Sequence, residues 1–558
     1  MVRATFSGFN TALSALQANQ KRLDITGQNL SNMNTAGYTR QQLEASSLNY
    51  TNPVSHYSNG NETAVGFGVS MDRVSQIRDP YLDIQYRSQS ADCSYTNRLQ
   101  TALNSLSKVL DETTISGIRQ AFDDVQSTLT SMQDPAKVSD PIYESELRTK
   151  MQSVCNLFNQ ASRQITQAEQ NEFQRLTGEG SSEQGDVQKI NDILRQIGDL
   201  NVQIKRNQVA GHPSLELQDE RNLLLDELSG YIPVETRYYK DDAHSGNNAY
   251  DYDANGAVIG KKDWPDDLEV SMNYIDAQGK SQKLILVNGS DLGANGLTKN
   301  YGQLSVLKGD HQTAASVSDP ANISIKFEKA PSYQGNGQAA ADVYAELKGI
   351  HFEGGSLQAS LDMLQKTGTG NVINGSTAVD DVRGYQYYSG KLDQLASTFA
   401  ESMNDINNNG KNPKDQNLLS NSTDDSTTGI TAGNIGISKG WTSGTIHIST
   451  DGTNRTDTIL DMIAAMKDTK KLNGKTFADY MNNLSTQLAS DSSSNQTALK
   501  TGTTVLNSIQ DSRDSLSGVS LDEEATNMMA YVSAYNAASR LMTALDEVLN
   551  TLISNTGA

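Results

Sequence analysis

The chain has 558 residues, 36% of them hydrophobic, and a formal net charge of −21. That length exceeds one compact core and suggests about three or four folding units. The acidity is spread along the chain and speaks against nucleic acid or an anionic membrane as partner, because such a surface repels phosphate.

The first thirty residues carry a helical pattern. Phe6, Phe9, Leu13, Leu16, Leu23 and Leu30 fall on three- and four-residue steps. This stretch is amphipathic, with neither a cleavable signal nor an apolar block. The strongest apolar run, Leu284 to Val287, is far short of membrane-spanning length. Taken alone, this suggests a cytoplasmic protein. The turn formers Asn32 to Tyr38 should end the helix, and a strand-prone stretch follows to about residue 75.

From Pro80 to about Leu228 the spacing is mostly helical. One stripe is Leu99, Leu103, Leu106 and Leu110; another is Ile118, Phe122, Val125, Leu129 and Met132. Pro135 and Pro141 mark a break. After Val234 the composition shifts to Gly, Asn, Asp and Tyr. Leu268, Val270, Met272 and Tyr274 alternate with polar residues, and the turn DAQGK leads to Leu284–Val287, which predicts a hairpin. Helix returns at Leu357 and is strong from Tyr388 to Ile406. Residues 407–436 suggest a loop, with short strands expected at Ile437 and at Ile446–Ile448. Helix resumes at Asp457. In the last segment Leu521, Met528, Val532, Tyr535, Met542 and Leu549 alternate steps of four and three, and Leu541, Leu545 and Leu552 widen the stripe. Ser520 fits an N-cap, with Glu523 placed as in a capping box and acids suited to the helix dipole. Both chain ends are therefore apolar-striped helices. Neither buries its face alone in water, so each needs a partner.

The expected architecture is α+β and multidomain. Residues 1–62 and 516–558 form a discontinuous, coiled-coil-like terminal unit. Residues 63–235 and 357–515 form a helical bundle, and 236–356 form a β-rich insertion.

Signals for chemistry are thin. The six histidines are scattered, without HExxH or ligand spacing. No GxSxG elbow or phosphate loop occurs. Gly66-Phe67-Gly68 reads as a turn between strands. Asp251, Asp253, Asn255 and Gly256 match part of a calcium loop, but Lys262 stands where a bidentate Glu belongs, so a solvated turn is the better account. Cys93 and Cys155 form no CxxC pair and read as small helical residues. No catalytic residue, metal or cofactor is expected.

Three N-terminal segments carry a resemblance. SGFNTALSALQANQKRLDITGQNLSN, NMNTAGYTRQ (residues 32–41) and GFGVSMDRVSQIRDPYLDIQYR (residues 66–87) resemble the opening of the axial proteins of the bacterial flagellum, the rod, hook and hook-associated family. The family's usual proline in the second box is Ala36 here, so the turn lacks the fixed φ of proline; Gly37 and Tyr38 are kept. INDILRQIGDLNVQI, LELQDERNLLLDELSGYIPVE, KLDQLASTFAESMNDIN and the C-terminal segment from Ser517 to Ile553 resemble the hook-associated group that joins hook to filament. On these motifs the resemblance leaves out 236–356 and 407–436.

The resemblance implies a structural protein, not an enzyme. It implies export through the flagellar type III apparatus without a cleaved signal, with a chaperone shielding the C-terminal helix. It implies assembly with further copies in a helical ring, between the hook protein and a second junction protein, the insertion facing outward. The residues it points to are Phe6, Phe9, Leu13, Leu16, Leu23, Leu30, Gly37, Tyr38, Leu521, Met528, Val532, Tyr535, Leu541, Met542, Leu545, Leu549 and Leu552. Leu13, Leu16, Leu23 and Leu30 should pack on Met528, Val532, Tyr535, Met542 and Leu549. Alternatives are another axial protein, such as the hook subunit or the second junction protein, or a secreted adhesin acting through the insertion.

Overall fold

A computed structural model describes residues 2–48, 68–110, 112–138, 140–240, 250–252, 258–261, 266–275, 280–289, 299–310, 312–328, 330, 343–345, 352, 354–368, 372–373, 376–377, 382–408, 416–450 and 456–556. The partial calcium loop, apart from the backbone at Asp251, lies outside these residues, as do His56, His244, His311 and His351.

The chain opens with helix α1 (Val2–Asn32) and the antiparallel pair β1 (Gln41–Ser47) and β2 (Val69–Gln76). Six helices follow: α2 (Pro80–Val109), α3 (Glu112–Ser131), α4 (Pro135–Val138), α5 (Pro141–Thr177), α6 (Asp186–Val209) and α7 (Leu215–Tyr231). The local chemistry sets their ends. Asp79 and Asp140 each accept a bond from a first-turn backbone N–H, and Pro80 and Pro141 occupy the first helical position, where a missing N–H costs nothing. Gly178, in the left-handed region at φ 77°, closes α5.

The strands come next: β3 (Glu235–Lys240), β4 (Tyr250–Tyr252), β5 (Val258–Lys261), β6 (Asp266–Ile275), β7 (Ser281–Asn288), β8 (Gln303–Lys308), β9 (Ile323–Glu328) and β10 (Val343–Ala345). They form antiparallel sheets ordered β3-β6-β7, β4-β5 and β10-β9-β8. The expected β6–β7 hairpin is present, with Tyr274 opposite Gln282. The return runs through α8 (Ser356–Gln365), the short pair β11 (Val372–Ile373) and β12 (Ser376–Thr377), and α9 (Tyr385–Asn408). Then come the pair β13 (Leu419–Asn421) and β14 (Ile435–Ile437), and helices α10 (Lys439–Ser443), α11 (Asp457–Lys467), α12 (Phe477–Ser517) and α13 (Leu521–Thr556).

The expected strand at Ile446–Ile448 is irregular backbone instead. The Ile448 N–H donates to Glu144 Oε1 and the Ser449 N–H to Asn407 Oδ1, so side chains satisfy donors that a ladder would otherwise need. Ser520 Oγ accepts from the Glu523 N–H at 3.5 Å, in the expected capping position.

Buried residues form one connected core. Phe122 is its centre, with Phe158, Phe399 and Phe477 ring centroids 5.9, 5.2 and 5.6 Å away. Both stripes read from the sequence are inward: Leu103 and Leu106 on α2 with Leu110 just past it, and Ile118, Phe122, Val125 and Leu129 on α3 with Met132 just past it. The sheets share this core. Leu268, Val270 and Met272 of β6 and Leu284 and Leu286 of β7 are buried in it. Amides seat them on α6: Asn201 Nδ2 donates to the Leu268 carbonyl, Asn191 Nδ2 to Leu304, and Asn300 Nδ2 back to Gly198. Both cysteines are free and buried, and burial pushes the Cys155 thiol up to about 12, so it stays protonated.

Glu169 is a buried acid that accepts a bond from Gln386 Nε2 at 2.6 Å. Burial first, opposed by that bond, pushes its carboxyl up to about 7. The folded state therefore holds a proton that the unfolded chain releases above its ordinary value near 4.5. Stability is full below that value and falls as pH rises towards 7, by on the order of 3 kcal/mol. Urea unfolding at pH 5 and pH 7.5 should show this loss, and Glu169→Gln should remove it. Parallel pH profiles for the two proteins would refute the assignment.

Candidate assembly site

The chain ends meet. α1 and α13 pack along their length in antiparallel sense: Gly8 lies under Leu545, and the Arg22 guanidinium sits 5.6 Å from the Tyr531 ring centre. On α1 the buried residues, Ala12, Ala18, Asn19, Ile25, Thr26 and Asn29, are mostly small or polar, and they face α13 or the β1–β2 pair. On α13 Glu524 and Ala538 are buried, and Met528, Tyr531, Met542, Leu545 and Leu549 are half-buried. Their steps of four and three trace one coiled-coil seam.

The seam is narrower than the apolar stripe. Phe9, Leu16, Leu23 and Leu30 are half-buried, but Leu13 is 46% exposed, and the side chain of Phe6 lies outside the described residues. On α13, Leu521, Val532, Tyr535, Leu541 and Leu552 are exposed, together with Met529, Val548 and Ile553. Leu13, Val532 and Tyr535, three of the residues expected to pack between the two helices, are thus exposed in the single chain. A two-helix pair covers only one row of each helix, and these stripes span more than that, so the leucines beside the seam turn outward.

The box at 32–41 fastens this pair to the body. Its turn closes through Thr35 N to Asn32 O and Tyr38 N to Thr35 O. Gly37 takes φ +77° and rests on Leu223 of α7, so any side chain there would be strained. The Tyr38 hydroxyl donates to Asn29 Oδ1 at 2.9 Å; burial, then the Asp219 carboxylate, raises its pKa well above the usual range and keeps the proton in place. Asn29 returns a bond to the Gln41 carbonyl. Thr39 donates from N–H and hydroxyl to the two oxygens of Asp219, at 3.1 and 2.6 Å. Burial pushes Asp219 up to about 6, against the lowering by these donors. Arg40 reaches α13, donating from Nη1 to Glu523 and from Nε to Glu524, both at 2.8 Å. Its N–H bonds the Ser517 carbonyl at the end of α12.

Behind the box lies a polar hub. Arg513 of α12 pairs through Nε with Asp83 at 3.1 Å and through Nη2 with Asp226 at 2.7 Å, and its guanidinium lies 4.2 Å from the centre of the Tyr86 ring. Arg87 holds the other Asp226 oxygen at 2.8 Å, and Arg78 pairs with Asp83. Arg221 of α7 donates to Asn201. Gly68, expected only to turn between strands, has a different task. At φ +111° it abuts Ser14 of α1 so closely that an added Cβ would fall 2.1 Å from Oγ, and that oxygen accepts the next N–H, of Val69.

Among the described residues no cluster of His, Cys, Asp and Glu is arranged to hold a metal, and no helix is long and apolar enough to cross a membrane.

A family model described as the flagellar hook-associated protein FlgK helical domain matches residues 103–418, more than half of the chain. The chain belongs to this flagellar hook-associated protein family. Its ends match two further models, flagella basal body rod protein at residues 9–39 and flagellar basal body rod FlgEFG protein C-terminal at 512–555. Flagellar hook-associated protein 1 of Bacillus subtilis (strain 168) is 28% identical over 572 residues, spanning 99% of each chain. That of Salmonella typhimurium is 29% identical over 230 residues, 40% of this chain and 38% of the other. A solved structure titled the flagellar hook junction protein FlgK from Burkholderia pseudomallei aligns with a TM-score of 0.38 and 18% identity, over 61% of this chain and 44% of that one.

The hook-associated likeness runs through residues 236–356 and into the loop beyond Asn407, which the quoted motifs had left outside it. Thr39, Arg40, Asp219, Asp226, Arg513 and Glu524 were absent from the candidate set. All stand inside or beside the motifs of this hook-associated chain, but their partners are up to 484 positions away, a distance that no local pattern reveals.

Proposed function

We propose that this chain is a structural subunit of the junction between flagellar hook and filament, held there by its terminal helices. The observation that carries the reading is the set of exposed apolar residues flanking the seam of an already paired α1–α13 rod, in a chain of the hook-associated family. Such exposed apolar surface calls for a neighbour. Further copies cover it in a helical ring, and the hook protein and a second junction protein flank that ring. The chain does no chemistry. It leaves the cell by flagellar export without losing a signal, and a chaperone covers α13 until assembly. Residues 1–62 with 516–558 act as the axial unit, 63–235 with 357–515 as the supporting body, and 236–356 as the outward face.

Immunogold labelling of sheared flagella, with antibody raised to residues 236–356, tests this. The expected result is a narrow band where hook meets filament. Label along the whole hook or filament would move the chain to another axial segment. Antigen free in the medium with bare flagella would overturn the structural role and favour an adhesin.

A further inference from the structure

Near the start of α12, about 50 Å along that helix from Arg513, a cleft of about 90 Å³ opens between α12 and the first turns of α9. Tyr387, Lys391, Asn473, Lys475 and Asn483 are among the residues that line it. Among the described residues its lining holds two lysines and no carboxylate, in a chain of net charge −21. Neither lysine pairs with an acid among the described residues. Lys391 Nζ stands 5.4 Å from the Tyr387 ring centre, a contact that places the ammonium without neutralising it. The acids closest in sequence serve other groups. Asp393 accepts the Ala432 N–H, Asp468 that of Lys470, Asp479 the Thr476 hydroxyl, and Asp491 pairs with Arg383. The Gln487 amide meets both its neighbours in one orientation: its oxygen accepts from Arg383 Nε and Nη2 at 2.9 and 3.0 Å, and its nitrogen donates to the Tyr387 hydroxyl at 2.7 Å. That hydroxyl then keeps its own proton to donate to a ligand. The Asn473 and Asn483 amides add donors. Residues 467–475 carry four lysines against one acid, Asp468, and such a local excess draws anions.

We propose that this cleft binds a phosphate group, free or as an ester. Two lysines match a dianion in charge, and each ammonium is a compact point charge whose donors suit a tetrahedral oxyanion. A planar carboxylate is matched best by a guanidinium fork, and the lining has no arginine among the described residues. The space has room for several water molecules or one small oxyanion. A bound dianion would tie α9 to the turn between α11 and α12, and a ligand that binds only the folded chain stabilises it. The cleft is on the body and shares no residue with the α1–α13 rod, so this inference stands apart from the assembly role.

The test follows the Tm of the isolated full chain against inorganic phosphate, with sodium chloride holding ionic strength constant, and the phosphorus NMR line width of the same samples. Wild type should show a saturable rise in Tm and a broadened line. Lys391→Gln and Lys475→Gln should each weaken binding about tenfold, the loss of one close charge pair, and the double variant should bind no phosphate. Lys475→Arg keeps the charge and should keep most of the binding, which separates a lost ligand from a disturbed fold. Glycerol phosphate binding as tightly would support the phosphate group as the unit recognised. Binding of inorganic phosphate alone would support it too and confine the ligand to the free ion. An equal rise in Tm with acetate would overturn phosphate as the ligand. A Tm and line width that phosphate does not move, or moves equally in the double variant, would overturn the site.

Discussion

Leu541→Asp should leave the isolated protein as stable as wild type and still abolish its entry into the flagellum. Leu541 is 49% exposed, beside the seam on α13. In the free chain a carboxylate there stays in water and changes stability by less than about 0.5 kcal/mol. In the proposed tube a further copy covers the same position, and an unpaired carboxylate there is costly enough to shift its own pKa or block the contact, by several kcal/mol in every subunit. Leu545→Asp should differ. Leu545 packs on Gly8 in the seam, so the substitution loosens the α1–α13 pair within one chain and also stops incorporation. Residues 80–510 should remain folded in both variants. Swarming, flagellar counts and urea unfolding together separate the two cases. Normal flagella built from Leu541→Asp subunits would show that this surface is not an interface.

The terminal helices were legible in the sequence because their stripes repeat over many turns and both carry turn or cap signals at the body end. The same repetition hid which row faces which partner. Leu13 and Leu16 are equally apolar and three positions apart, yet one is exposed and one half-buried, because a single neighbouring helix covers only part of the stripe. The bundle helices were legible for a related reason: Ile118 to Met132 face a core on every third or fourth residue, and every member is buried. The segment at Ile446–Ile448 misled because alternating apolar residues look the same whether a strand or the side chains of Glu144 and Asn407 take up the backbone donors. Gly68 carries more than its place between strands shows. A glycine between strands has an ordinary meaning in sequence, and only the fold shows the Ser14 oxygen occupying the place of its Cβ. Charged residues were least legible. Arg513 looks like one more solvated helix charge until α2 and α7 bring Asp83 and Asp226 to it.

That arginine predicts the largest loss of stability. Its side chain is 13% exposed, and its partners Asp83 and Asp226 are 10% and 16% exposed. Arg513→Ala would leave both carboxylates facing each other across the vacated space, with Arg78 and Arg87 holding one each. Removing one member of a buried ionic set costs about 3–5 kcal/mol, because the remaining charges stay desolvated. Urea unfolding should show a midpoint shift of that size with little change in slope. Arg513→Lys should recover less than half. A lysine ammonium has no fork to bridge two carboxylates and stacks poorly on Tyr86. A variant within about 0.5 kcal/mol of wild type would mean that the hub is solvated and its geometry incidental. The consequence for function follows from position. Arg513 stands one turn before Ser517, whose carbonyl takes the Arg40 N–H, and Arg40 in turn holds Glu523 and Glu524 at the start of α13. Loosening the hub therefore frees the angle between body and rod as well as destabilising the body. A rod that points in many directions cannot present its exposed apolar surface to the next copy at one register, so Arg513→Ala should assemble poorly even at temperatures where it remains folded.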